Sequence, residues 1–305
     1  DDRRPGDESS EPSFRRVRLE RMEPRLVDSS CTPPQFVVVD SFLAEEEAVR
    51  VRELVRDQKY REHTFEFNGQ KIRKPKIFEV DVEEFGKQEG ARQALESVSE
   101  RIRVFLKEYG LSGCDAAIKM QRNDGGAFPA HYDNAGPPSQ RVVTAILYFN
   151  DECHGGELVL MPFLQQTVFI RPLFNRLVVF RSDRVLHAVT PWTSPEHPRY
   201  AVSFWFHGHD ANKDAVLTKD HLRFPDWDAA ATFFQRSPLQ RVLSRAVYDE
   251  EYVATLGACG FDDGHLGAML RAHHASAQSM TAKLRPLVTE LRTRKAHNKS
   301  RKATA

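Results

Sequence analysis

Hydrophobic and polar positions follow three different patterns along this chain, and the changes of pattern divide it. Residues 1–32 are charged and proline-containing, with no apolar period, which predicts a disordered or loosely attached arm. The β-branched run Phe36-Val37-Val38-Val39 then leads into DSFLAEEEAVRVRELVRD. Acidic residues crowd the start of that stretch, where a helix dipole favours negative charge, and Val49, Val51, Leu54 and Val55 recur at roughly helical spacing. Asn68-Gly69 between strand-like runs is a hairpin signal. A second helix is predicted around 93–109, with Leu95, Val98, Ile102 and Phe105 on one stripe.

From about Ala116 the period shortens. AAIKMQR, VVTAILYF, GELVLM, TVFI, RLVVF and YAVSFWF are β-type runs separated by Gly, Pro, Asp and Asn turns. Many short strands without interleaved helices predict an all-β sandwich or barrel of the jelly-roll kind. Beyond His209 the pattern becomes helical again and ends in the basic fringe RTRKAHNKSRK. The expected organisation is an arm at 1–32, a β-rich domain at 33–209 with supporting N-terminal helices, and a helical C-terminal extension at 210–305, α+β overall. No internal repeat is present.

Composition narrows the function classes. Lys+Arg 44 against Asp+Glu 43 leaves a formal charge of +1, so no nucleic-acid partner is expected and the basic tail reads as a solvated fringe. No apolar run approaches the ~20 residues of a membrane-spanning helix. Cys31, Cys114, Cys153 and Cys259 lie far apart without a C-x-x-C pair, which excludes a disulfide scaffold, a zinc ribbon and a thioredoxin motif. That usage suits a reducing compartment, so a cytoplasmic or nuclear location is the expectation. The chain opens on Asp1 rather than Met, which points to a trimmed or processed form whose upstream part is a place for a targeting signal. Oligomeric state is not legible.

The chemistry centres on AHYDN, residues 130–134. Residues two apart on a strand share a face, so His131 and Asp133 point the same way. His187, just after the strand RLVVF, is the natural third ligand. Two histidines and one carboxylate on one face of an octahedron form the non-haem Fe(II) triad, leaving three positions open. The same donors also suit zinc. H-x-D alone is a common triplet, and a strand-end histidine with a turn aspartate before Asn134-Ala135-Gly136-Pro137 is the plainer alternative. Arg199 adds weight. Alternation in RYAVSFWF places Arg199, Ser203 and Trp205 on one face and Tyr200, Val202 and Phe204 on the other. An arginine in a core-facing set needs an anionic partner, which a bound dicarboxylate would supply bidentately. An internal Asp or Glu, or exposure at the strand start, remains the alternative.

H-x-D, the stretch DR-x-x-H-x-V around His187, and RYAVSFWF together resemble the 2-oxoglutarate- and Fe(II)-dependent dioxygenases, and within them the prolyl hydroxylase branch that includes the hypoxia-type enzymes. TAILYFND, GGELVL, FNRLVVFRSDRVLHAV and the opening FVVVDSFLAEEEA fit the same branch. The resemblance spans roughly residues 36–207 and is dense from 116 onward. It implies a double-stranded β-helix (jelly roll), makes 33–209 a catalytic domain, and makes His131, Asp133 and His187 iron ligands. Arg199 would hold the distal carboxylate of 2-oxoglutarate. Tyr148, facing with Thr144 and Ile146, would donate its hydroxyl to that carboxylate, and Leu158, Val189, Ser203 and Trp205 would wall the pocket. A tyrosine hydroxyl in water, and plain barrel core for Leu158, Val189 and Trp205, are the alternatives.

The implied co-reactants are Fe(II), 2-oxoglutarate and dioxygen, with ascorbate in support. The implied activity hydroxylates an unactivated C–H, releasing succinate and CO2, with a prolyl residue of a protein or peptide as the expected target. A lysyl residue, a free amino acid or another small molecule suits the same chemistry. A catalytically silent metal-binding interaction module is the third reading, against which the intact ligands and Arg199 argue. The chain departs from the hypoxia-type pattern at Gln121, ten before His131, where those enzymes carry a tyrosine. Arg122, Phe128 and Tyr132 are candidates for a substrate groove. By analogy, the Asn68-Gly69 hairpin and the segment up to Phe85 form a flap.

Overall fold

The computed structural model describes residues 26–27, 34–82, 89–108, 110, 115–151, 154–194, 196–208, 217–219 and 222–300. Most of the arm, Cys31, Cys114, Cys153 and the end of the flap at 83–85 lie outside the described residues. Within the arm, Leu26–Val27 forms a two-residue strand, β1, paired antiparallel with β2 (Phe36–Val39).

Two antiparallel sheets face each other. The larger has eight strands in the order β1-β2-β10-β7-β12-β5-β4-β3, with β3 Arg61–Phe67, β4 Gln70–Asp81, β5 Ala116–Asn123, β7 Arg141–Tyr148, β10 Leu177–Arg181 and β12 Arg199–His207. The smaller has the order β6-β11-β8-β9, with β6 Phe128–His131, β8 Leu158–Pro162, β9 Val168–Ile170 and β11 Val185–Val189. This is the expected jelly roll. The hairpin signal is met: Asn68 and Gly69 both take left-handed φ, 51° and 75°, between β3 and β4. Beyond its local turn, β4 continues along β5 and extends the large sheet.

Alternation sorts the side chains into layers. Ile146, Tyr148, Val178, Phe180 and Ala201 of the large sheet meet Phe128, Leu158, Leu160, Val185 and Val189 of the small one inside the sandwich. The other face of the large sheet, including Val143, Ala145, Leu147, Val202 and Phe204, is covered by helices α1 (Glu45–Arg56) and α2 (Glu89–Glu108). Three glutamates occupy the first turn of α1, and one of them, Glu47, pairs with Arg101 of α2 at 2.7 Å.

The outer face of the small sheet is equally apolar. Ala130, Val159, Met161, Leu186 and Ala188 pack on α3 (Trp227–Arg236), α4 (Gln240–Val247), α5 (Asp249–Gly257) and α7 (Arg285–Ser300), with α6 (Asp263–Lys283) alongside. Strands β8 and β11 are therefore buried on both faces, which is why they read as continuous apolar runs instead of alternating ones. None of the described helices is long and apolar enough to cross a membrane.

Candidate active site

His131 ends β6 and His187 lies mid-way along β11, and the register of the two strands sets them directly opposite each other. Their rings are 4.2 Å apart between centroids. Asp133, two residues beyond His131, places Oδ1 3.6 Å from His131 Nε2 and Oδ2 3.8 Å from His187 Nε2. The three ligand atoms lie within 4.8 Å of one another.

Each histidine is anchored through its other nitrogen. His131 Nδ1 is 2.8 Å from the carbonyl of Pro129, and His187 Nδ1 is 3.2 Å from that of Val185. Each Nδ1 therefore donates to a carbonyl and turns Nε2 inward, the nitrogen a metal takes up. Burial, then the neighbouring His131, pushes His187 down to about 4, so its imidazole is neutral at ordinary pH. Burial alone would raise Asp133. The opposing effects of His187, His131 and a hydrogen bond from Thr144 hold it far below the usual carboxylate range.

Arg199 opens β12 and is buried, 2% exposed, in the same cavity of about 230 Å³ as the three ligands. Its Nε donates to the carbonyl of Gly156 at 3.1 Å, and its guanidinium lies 5.0 Å from the centre of the Tyr148 ring. Gly156 has φ +65°, and a Cβ there would stand 2.8 Å from Arg199 Cδ and 2.7 Å from Trp192 Cε3. The second glycine of GGELVL is thus what lets the arginine stem pass.

The 2OG-Fe(II) oxygenase superfamily pattern matches residues 117–207. A crystal structure of prolyl 4-hydroxylases from Phytophthora capsici is 31% identical, with 87% of this chain and 89% of that chain covered and a TM-score of 0.66. The chain belongs to the 2-oxoglutarate/Fe(II) oxygenases and is prolyl 4-hydroxylase-like. Two partial likenesses are a Trichoplax adhaerens prolyl hydroxylase solved with a hypoxia inducible factor peptide fragment (21% identity, 60% of this chain and 88% of that one, TM-score 0.49) and a Pseudomonas putida prolyl-4-hydroxylase (20%, 57% and 92%, 0.47). No curated protein matches the chain.

As a dioxygenase of this family it uses Fe(II), 2-oxoglutarate and dioxygen, and the residues present fit that set. Two imidazoles and one carboxylate converge from one side, the donor chemistry of a non-haem iron centre. Beside Arg199, the Tyr148 hydroxyl is fully buried and has no hydrogen-bond partner among the described residues. Burial raises its pKa, and the Arg199 guanidinium opposes the rise, so the phenol stays protonated and able to donate. A buried orphan donor next to a buried guanidinium is a site for a carboxylate.

The oxygenase places the remaining expected residues unequally. Ile146, Leu158, Val189, Ser203 and Trp205 line the cavity, as do Phe128, Tyr132 and Gln121. Thr144 is not among the lining residues. Its hydroxyl donates to Asp133 Oδ2 at 2.7 Å, and Trp205 Nε1 donates to the same oxygen at 3.0 Å. Both fix the carboxylate, so Thr144 meets Asp133 and not the cavity, and Trp205 touches both. Arg122 points away from the cavity, because alternation on β5 turns Lys119 and Gln121 inward and Arg122 outward. Arg122 instead pairs with Asp124 at 2.8 Å, over the Phe78 ring.

Sequence reasoning missed four polar residues of the cavity, His63, Lys74, Lys119 and Arg141. Lys119 was within reach, being two residues before Gln121 on the same strand face. It donates to Glu79 at 2.9 Å, and His63 bonds to the same carboxylate oxygen. His63 and Lys74 come from the outer hairpin, and no local pattern announces their approach to the metal ligands.

Proposed function

We propose that this oxygenase hydroxylates a prolyl residue of a protein or peptide. The observation that carries the reading is the 31% identity to prolyl 4-hydroxylases over 87% of the chain. In this reading His131, Asp133 and His187 hold Fe(II), Arg199 and Tyr148 hold the distal carboxylate of 2-oxoglutarate, and Gln121 and Ser203 line its flank. Bound iron and 2-oxoglutarate supply oxidative hydroxylation: dioxygen and 2-oxoglutarate yield succinate and CO2, and one oxygen atom enters the C–H bond.

The protein's own part is orientation and exclusion of water. The backbone carbonyls of Pro129 and Val185 hold both imidazoles with Nε2 inward. Thr144 and Trp205 hold Asp133 by one oxygen and leave Oδ1 toward His131. Leu158, Val189 and Phe128 form an apolar part of the wall, which keeps water from that side of the reacting centre, while His63, Lys74, Lys119 and Arg141 make another part polar.

The test measures succinate formed from 2-oxoglutarate by the full chain with Fe(II) and proline-containing peptides. Turnover that stops when the proline is replaced by alanine supports the reading. Equal turnover with both peptides refutes it. Arg199→Ala should raise the KM for 2-oxoglutarate at least tenfold, since a charged contact is lost.

A further inference from the structure

The C-terminal helices shape a second cavity, and the two cavities meet. A groove of about 590 Å³ is lined by Phe65 and Phe67 of the hairpin and by Leu256, Phe261 and Met269 from the α5–α6 region. Phe65 packs against Phe261 with ring centroids 5.9 Å apart, so hairpin and helices touch at that point. Pro129, Ala130 and His131 of β6 also line the groove. His131 and Lys74 belong to both cavities, so whatever lies in the groove reaches a metal ligand at one end.

The charges along the groove are one-sided. Lys74 and Arg245 line it, and among the described residues no carboxylate does. Arg245 is engaged, with Nη1 3.3 Å from His273 Nδ1 and its guanidinium over the Tyr252 ring. Lys74 is held differently. Its ammonium lies 4.0 Å from the centre of the Phe128 ring and 5.8 Å from that of Phe65, and it makes no hydrogen bond or ion pair among the described residues. A partly desolvated ammonium resting on aromatic faces gains most from an anion arriving with the ligand.

We propose that the groove seats an extended, largely apolar stretch of the substrate polypeptide, that an acidic side chain flanking the hydroxylated residue pairs with Lys74, and that the α5–α6 region forms the far wall. This rests on a polypeptide being the substrate, and deepens that reading by assigning a sequence preference and a role to the C-terminal helices.

Four labelled peptides test it. They share apolar flanks and carry Pro or Ala at the centre and Glu or Gln beside it. Their affinities for the full chain with Fe(II) and 2-oxoglutarate are measured anaerobically by fluorescence anisotropy. Hydrogen exchange locates the bound peptide, and aerobic succinate yield is measured in parallel. The Glu peptides should bind about tenfold more tightly than the Gln peptides, Lys74→Met should abolish the difference, and protection should fall on β3 and on α6 around Ala272 and Ser276. Ala272→Glu, on an exposed position of the far wall where folding is not at stake, should weaken the Glu peptides selectively.

Equal affinity for Glu and Gln peptides, a preference that survives Lys74→Met, protection elsewhere, or no binding of any peptide overturns the proposal. The prolyl reading fails separately. A Lys74-dependent Glu preference with equal succinate yield from Pro and Ala peptides sinks the prolyl assignment and leaves the groove standing. Proline-dependent succinate without a Glu preference does the reverse.

Discussion

Trp205 and Asp133 are joined across the sandwich: the indole Nε1 of β12 donates to Oδ2 of the carboxylate at 3.0 Å, beside the 2.7 Å bond from Thr144. Two donors on one oxygen hold the carboxylate, with that oxygen on the His187 side and the other toward His131. Trp205→Phe keeps an aromatic wall and removes one donor. Fe(II) affinity should fall roughly tenfold, the lower end for loss of such an orienting contact, with the fold intact. Anaerobic metal titration checks this. Unchanged affinity in a Trp205→Phe, Thr144→Val double variant would show that these bonds do not position the ligand.

Tyr148→Phe separates co-substrate binding from stability. The hydroxyl is buried without a partner among the described residues, so its removal should leave Tm unchanged or slightly raised. The KM for 2-oxoglutarate should rise about 5- to 10-fold, the worth of one hydrogen bond of about 1–1.5 kcal/mol. A lowered Tm with an unchanged KM would mean the hydroxyl serves the fold alone.

Glu79 links the hairpin to the cavity and sets a pH window. Burial would raise its pKa, but hydrogen bonds from His63 and Lys119 outweigh burial and hold it at about 2, against 4.5 ordinarily. A depressed folded-state value means that the contribution to stability is complete above about pH 4.5 and is lost as pH falls toward 2. Glu79→Gln should therefore lower Tm at pH 7, and the gap from the parent protein should close between those limits. A gap that stays constant down to pH 2 would locate the effect in packing.

Phe234 of α3 is fully buried between the C-terminal helices and the small sheet. Phe234→Ala should cost about 3–5 kcal/mol, as for other large-to-small changes in a core. Denaturant unfolding measures it. A loss below about 1 kcal/mol would mean that these helices pack only loosely on the sandwich.

The β-rich architecture, the hairpin and the inward face of β12 were legible because each is encoded locally, by alternation or by the Asn68-Gly69 turn. His131 and Asp133 showed themselves as an i, i+2 pair, although β6 ends at His131 and Asp133 lies in the bend beyond it, and Arg199, Ser203 and Trp205 showed themselves by the period of two along β12. The partners that aim the histidines were not legible, because they are the backbone carbonyls of Pro129 and Val185, which carry no side-chain signature. The role expected of Thr144 shifted for a related reason. Its inward direction was readable, but whether it met co-substrate or Asp133 depended on how far β7 sits from β6.

The order of residues alone determined the candidate ligand types and the strand that carries the arginine, since the H-x-D pair and the inward face of β12 are both encoded locally. Tertiary structure decided that the hairpin brings His63 and Lys74 to the cavity and that the helices within 227–300 cover the small sheet. Both involve contacts between segments far apart in the chain. Such contacts are selected by which apolar faces remain to be covered once both sheets have formed, and nothing in the neighbouring sequence specifies that choice.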